Sequence, residues 1–263
     1  MKKLIIASRL HLGRASSPPS NDDIQKIFTN LGSMAISAEQ EYMEASVLLA
    51  VDGTPKIEGY SYVETVKSLL VEDSKMQSKI EILPVTPWGK FVPALNSLVL
   101  YAKSKYDADL ILFASAEVQA SASTISTLCQ HVLDSNDVIA AGAALKGHEY
   151  AGKGQTVALT GRTTPWNTLC VWDLGKLSLI GFAAISDLGP SAGVEECVAI
   201  ALLQKLFPNS VAKLVQVSDI SWQDSFQDDE ERRKWHEEKM KSKEERPAQQ
   251  LDRLNLSGMV LHC

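Results

Sequence analysis

The chemistry this chain could do is concentrated in two acidic groupings. In DADLILFASAEVQAS, residues 107–121, Asp107 and Asp109 precede an apolar run, while Ser115 and Glu117 follow it. The second grouping is the adjacent pair Glu195-Glu196, which opens the apolar stretch VEECVAIALLQKL at residues 194–206. Carboxylates and hydroxyls at a strand end can share a hard divalent cation with phosphate oxygens and water. Acidic residues at the start of a helix also suit its positive end with no chemistry attached. Only one end of a buried strand is normally placed to hold a metal and a phosphate, so the elements around these residues decide which carboxylates matter.

The chain repeats a strand–loop–helix pattern. Lys3–Ser8 is a short apolar run followed by the loop RLHLGRASSPPSN, with Ser20 or Asn21 placed to cap a helix from about Asp22. ASVLLAVDG closes on Asp-Gly before the helical stretch SYVETVKSLLVEDSK, and IEILPVT precedes PWGK and FVPALNSLVLYAKSKY. ADLILFASAEV with a helix from about Ser123 to Ser135 makes a fourth unit, and DVIAAGAAL begins a fifth. Continuous apolar strands separated by amphipathic helices indicate an α/β fold with a doubly wound, mainly parallel sheet covered on both faces. Ligands in such sheets bind outside the carboxyl ends of the strands. The loops at 8–20, 51–57, 84–91 and 114–121 are therefore expected to form the site. Asp107 and Asp109 fall on the opposite edge and read as a solvated turn, whereas Ser115 and Glu117 are at the ligand end.

Composition narrows the partners. The chain has 263 residues, 45% hydrophobic and 22% charged, as in an ordinary globular protein. Lys plus Arg is 26 against Asp plus Glu 32, a net charge of −6, which disfavours nucleic acid and anionic membrane as general partners. Cys129, Cys170, Cys197 and Cys263 are far apart and read as free thiols in a reducing compartment. MKKLIIASRL has an apolar stretch too short for a signal peptide, and no run approaches the roughly 20 residues of a transmembrane helix. A cytoplasmic protein is expected.

Several motifs can be set aside. GHEYAGKG at 147–154 nearly matches GxxxxGK[ST], but Gly154 stands where a hydroxyl would ligate magnesium and no helix pattern follows, so a surface loop is expected. There is no GxSxG, HExxH or zinc-spaced Cys/His cluster. The N-terminal loop SRLHLGR also lacks the Gly-rich triphosphate loop of nucleotidyltransferases.

The order of features resembles nucleotide-diphospho-sugar glycosyltransferases of the GT-A fold, closest in layout to the large inverting family 2. The residues carrying the resemblance are KKLIIAS, LLAVDG, Asn96 in PALNSLVLYAKS followed by DADLILFASAEV, Gly181-Phe182 in LIGF, and Glu195-Glu196; together they span about residues 3–207. The resemblance implies transfer of a sugar from a nucleotide diphosphate donor, a UDP-sugar, to an acceptor hydroxyl with inversion. The acceptor, whether glycan, lipid or protein, is unspecified. It places Ser8, Asp52, Asn96, Ser115 and Glu117 at the donor, with Asp52 at the nucleoside. A manganese or magnesium ion, weakly held, would sit at Glu117. The family's DxD motif stands here as Ser115-Ala116-Glu117, so one of two carboxylates is a hydroxyl. Magnesium at a nucleotide often takes only one or two protein carboxylates, so Glu117 alone is compatible with it. The loss equally fits a catalytically inactive GT-A-like domain that binds a partner or glycan.

By the same resemblance Glu195 or Glu196 is the catalytic base, with Glu195 favoured and Glu196 supporting it. Trp166, Asn167 and Trp172 in TTPWNTLCVWDLGKL are expected on the acceptor side, where aromatic faces and an amide suit a sugar. The catalytic domain is expected over residues 1–222, with a donor half to about 121 and an acceptor half from about 122. Residues 223–263 read as a charged, partly helical C-terminal tail, because 228–246 hold eight acidic and seven basic residues. Some GT-A enzymes close such a segment over the diphosphate and use a late histidine as a metal ligand, a role open to His236. Lys239, Lys241 and Lys243 could offset phosphate charge there.

Overall fold

The structure is a computed structural model that describes residues 1–11, 19–41, 43–55, 60–222 and 242–263. Strands β1 (Lys2–Leu10), β2 (Met43–Asp52) and β3 (Ile80–Val85) alternate with helices α1 (Asn21–Gln40) and α2 (Tyr62–Glu72), and a short α3 (Ser74–Gln77) precedes β3. Next come α4 (Val92–Tyr106), β4 (Leu110–Ala114), β5 (Val118–Ala120), α5 (Ala122–Leu133) and β6 (Val138–Ala143). They are followed by β7 (Thr156–Ala158), β8 (Leu169–Asp173), α6 (Leu174–Ile180), α7 (Glu195–Leu206) and β9 (Val211–Val215). The last elements are β10 (Ile220–Trp222), α8 (Glu245–Leu254) and β11 (Met259–His262).

Among the described residues, nine strands form one sheet in the order β3-β2-β1-β4-β8-β6-β9-β11-β7. All its neighbouring pairs are parallel except those made by β8 and β7, and a separate antiparallel pair joins β5 to β10. The apolar strands explain the two-sided burial. Leu4, Ile6 and Leu10 of β1 pack with α1, α2 and α5, while Ile5 and Ala7 pack with α4, α6 and α7. Every residue of β4 is buried, as expected of a strand inside a doubly covered sheet.

Local signals start most helices. Ser20, Ser61 and Ser121 each accept a backbone N–H at the start of α1, α2 and α5, which satisfies donors that the helix itself cannot. α4 has no such residue before it. Its cap comes from far along the chain: Asp187 accepts from the N–H groups of Lys90, Phe91 and Val92 at 2.8–3.0 Å. The loop at the carboxyl end of β3 is thereby tied to the loop before α7.

Strand direction sets what meets at the carboxyl edge. Because β6 and β9 run parallel, α7 between them must run back, so its N-terminus lies at the same edge as the ends of β1, β2 and β4. β8 runs antiparallel to β4, so the residues just before Leu169 are at that edge too. The chain turns from β1 toward β2 and β3 on one side and reaches β4 on the other, which is the switch point where ligands bind in such sheets.

At the opposite edge Asp109 accepts from the Lys3 N–H at 2.9 Å and pairs with Lys2 at 2.7 Å. Asp107 ends α4 in the left-handed region and pairs with Lys103 at 2.6 Å. Both act as the solvated turn expected of them. The C-terminal residues differ from expectation. β11 sits inside the sheet between β9 and β7, and α8 packs on α7, so residues 242–263 belong to the fold rather than to a tail. A four-residue strand just after a charged stretch offers little apolar periodicity to find it by. Among the described residues no helix is long and apolar enough to cross a membrane.

Candidate functional site

The turn after β4 is held from three sides. The Ser115 N–H donates to Thr168 O at 2.9 Å and the Val118 N–H to Ser115 O at 3.0 Å. Asn30 of α1 donates its amide to Ala116 O and Val118 O at 3.1 and 2.7 Å. Glu117 therefore extends to solvent from a fixed backbone, with Ser115 half-buried behind it. Ser8 Oγ donates to Ala114 O at 2.7 Å, a bond across the switch point that leaves Ser8 buried as a strand tie.

Asp52 lies at the end of β2, 1% exposed, with Oδ1 accepting from the Thr54 N–H at 3.0 Å. The Thr54 and Tyr62 hydroxyls are sealed without a hydrogen-bond partner. Burial, with Tyr60 and Asp52 adding to it, raises the Tyr62 phenol well above its usual range. This edge therefore gathers a carboxylate and two hydroxyls, groups that suit the polar edges of a nucleoside.

Asn96 takes a different role. Its Oδ1 accepts from the Phe182 N–H at 2.7 Å and its Nδ2 donates to Phe182 O at 3.0 Å. The amide is engaged in holding Gly181-Phe182 on α4, not in facing a donor.

The acidic pair opens α7. Val194, just before it, has φ 58, a left-handed conformation that is an outlier for a β-branched residue. Glu195 and Glu196 follow, 6% and 5% exposed. Asn167 meets both: its Nδ2 donates to Glu195 Oε1 at 3.0 Å and its backbone N–H to Glu196 Oε1 at 2.5 Å. The Trp172 Nε1–H donates to Asn167 Oδ1 at 2.9 Å, which fixes the amide so that its N–H points at the acid. Glu196 Oε2 is sealed from solvent with no partner, a condition neither oxygen of Glu195 shares. Burial first, then the neighbouring Glu195 charge, pushes Glu196 up to about 8, against the Asn167 N–H and Lys243.

The aromatic residues do not present faces to an acceptor. Trp172 is wholly buried against Phe182, with ring centroids 5.6 Å apart. Trp166 donates Nε1–H to Gly161 O at 2.8 Å, stacks on His148 at 3.6 Å and is covered on its face by Lys243. A Cβ on Gly161 would lie 1.7 Å from Lys243 O, so glycine is needed where the C-terminal segment crosses this layer. Trp166 and Trp172 are thus the packing behind Asn167, and Asn167 is an orienting group.

Among the described residues no three His, Cys, Asp or Glu side chains converge to hold a metal. Glu117 with Ser115 nevertheless matches a small protein share in a magnesium or manganese site completed by diphosphate and water. His236, Lys239 and Lys241 lie outside the described residues, and Lys243 stands over Trp166 rather than beside Glu117. Three residues unmarked in the sequence shape the site: Asp187, Arg246 and Gln250. Their contacts join segments 54 to 97 residues apart, distances over which local pattern carries no signal.

No family model matches the sequence, and no curated protein matches it in sequence. A solved structure similar to it is the mannosyltransferase PcManGT from Pyrobaculum calidifontis, in complex with GDP-Man and Mn2+. The likeness has a TM-score of 0.54 at 11% identity and covers 80% of this chain and 53% of that one. The chain therefore spans about half the length of that relative. The likeness and the sheet order together define the fold as α/β of the GT-A-like, nucleotide-sugar transferase type.

Proposed function

We propose that the protein is a glycosyltransferase that moves a sugar from a nucleoside diphosphate donor to an acceptor hydroxyl with inversion. The observation that carries this reading is the buried Glu195-Glu196 pair, oriented by Asn167 at the same sheet edge as Asp52 and the Ser115–Glu117 turn. A buried pair of acids with one member held protonated is costly as structure alone. It is useful where a proton must be taken.

Glu195 is the base. Burial keeps Glu196 protonated near neutral pH, and Glu195 is the member of the pair with no oxygen that is both sealed and unpartnered. As the acceptor oxygen bonds to the anomeric carbon, its proton passes to Glu195 and the carbon–oxygen bond to the diphosphate breaks from the opposite face. The electron pair of the broken bond stays on the departing diphosphate. Asp52, at the carboxyl end of β2, is assigned to the nucleoside. Glu117 and Ser115 would hold a divalent ion whose chemistry, when bound, is to neutralise the leaving diphosphate. The base is open between uridine, which the family resemblance favours, and guanosine, which the similar structure's complex contains.

The test is donor turnover. A panel of UDP- and GDP-sugars is incubated with the protein, and released nucleoside diphosphate is followed for the native chain and Glu195→Gln. The reading expects slow hydrolysis of one donor in the native chain and a loss of 100-fold or more in the variant, the range of a general base. Turnover unchanged by Glu195→Gln would refute the assignment. The single carboxylate at Ser115–Glu117 favours a second reading, a non-catalytic domain of the same fold; nucleotide binding without turnover of any donor would support it.

A further inference from the structure

We infer that Arg246 and Gln250, one turn apart on α8, are positioning residues that set the geometry and charge of the Glu195-Glu196 pair. This rests on the reading of Glu195 as the base. The backbone carbonyls of residues 191–193, just before α7, are held from α8. Gln250 is fully buried and uses each of its polar atoms on that loop: Oε1 accepts from Ser186 Oγ at 2.8 Å, and Nε2 donates to Gly193 O at 3.0 Å and to Ser191 O. Arg246 donates Nη1–H to Ala192 O at 2.8 Å and Nε–H to Ser242 O at 3.1 Å.

Three consecutive carbonyls, at 191, 192 and 193, are thus taken up by two side chains of one helix. The guanidinium lies against Gly193, where a Cβ would come within 2.3 Å of Nη1. The next residue is Val194, in its left-handed conformation. A strained backbone persists only where its surroundings over-determine it, and here the surroundings are α8. Release of this grip would let Val194 relax toward the ordinary region and swing the first turn of α7, carrying both glutamates away from Asn167.

The same arginine acts through charge. The groups facing the acidic pair are Lys243 and Arg246 from the C-terminal segment and the thiols of Cys170 on β8 and Cys197 on α7. Burial holds both thiols protonated, and Glu244 faces Cys197 from farther along the same segment. Burial works against the Arg246 charge while Glu195 and Glu196 favour it. Loss of Arg246 must then make the pair harder to ionise.

The experiment compares full-length native protein with Arg246→Met, Arg246→Lys and Gln250→Leu. The carboxyl titration of the pair is followed by NMR on 13C-glutamate-labelled protein, alongside nucleotide affinity by calorimetry and donor turnover against pH. Arg246→Met is expected to raise the pH at which the pair titrates by about one unit and to shift the acid limb of turnover upward with it. Arg246→Lys should restore the native titration. Gln250→Leu should lower kcat by 10-fold or more, with nucleotide affinity within twofold of native. A pair that titrates as native in folded Arg246→Met overturns the proposal. So does a kcat unchanged in folded Gln250→Leu. If Arg246→Met fails to fold, Arg246→Lys and Gln250→Leu decide: native titration with lowered kcat supports positioning, and native kcat in both removes it. A native chain that turns over no nucleotide sugar refutes the transferase reading alone, because the NMR titration of Arg246→Met tests the charge coupling without turnover.

Discussion

Asn167 donates its side-chain amide to Glu195 at 3.0 Å, and the amide is held in that orientation by the indole N–H of Trp172. The relationship turns a surface-recognition residue type into an internal one. Removing the amide by Asn167→Ala leaves the indole N–H and one Glu195 oxygen unpaired while keeping the backbone bond to Glu196. Two buried groups losing partners cost on the order of 2–4 kcal/mol of stability. Donor turnover should fall by 10- to 100-fold with nucleotide affinity unchanged. Denaturant unfolding and a kcat/KM split check both parts.

The raised Glu196 makes stability fall as the solution becomes more basic. Its folded-state pKa is about 8, above the ordinary value, so the folded protein binds more protons than the unfolded chain across the interval between them. Stability from this group is whole below about pH 4.5 and is lost as pH rises toward 8. Glu196→Gln removes the titration. Urea midpoints measured from pH 5 to 8 should decline in the native protein relative to the variant, and parallel curves would contradict the assignment.

His148 has the opposite sense. Its Nδ1 accepts from the Leu145 N–H at 2.8 Å, so Nε2 carries the proton and donates to Thr164 O at 3.0 Å. Burial, the largest cause, holds its pKa down to about 3. The unfolded chain takes up a proton below about pH 6.5 that the folded one refuses, so this contribution is present above that pH and lost as pH falls toward 3. His148→Asn should show a shallower loss of urea resistance between pH 6.5 and 4 than the native chain.

Asp187 caps a helix 96 residues before it in the chain. Asp187→Ala leaves three N–H groups at the start of α4 without their acceptor, and a lost cap of this kind costs about 1–2 kcal/mol. For a chain of this size the melting temperature should fall by roughly 2–8 °C. Calorimetric scanning of Asp187→Ala and Asp187→Asn separates the charge from the hydrogen bonds.

Much of the fold could be read from pattern, because buried parallel strands are continuous apolar runs and their helices carry local caps such as Ser20, Ser61 and Ser121. Strand direction separated Glu117, after β4, from Asp107 and Asp109 at the opposite edge of the sheet. The acidic pair could be found because it is adjacent in sequence and opens a helix. What escaped was set by tertiary contact. Asn96 and Trp172 have residue types that suit ligands, but they are engaged by Phe182 and by the core. β11 is four residues long, too short for a period to show. The grip of Arg246 and Gln250 on the loop before α7 exists only once the chain has folded back on itself.

The most direct test of the central claim is calorimetric titration of UDP, GDP and their sugar conjugates, with and without manganese, on the native chain and on Glu117→Ala. The account predicts that one nucleotide binds, that manganese tightens its binding, and that Glu117→Ala loses the metal effect. Binding of no nucleotide at any manganese concentration would contradict it and leave a nucleotide-sugar transferase fold used for another purpose.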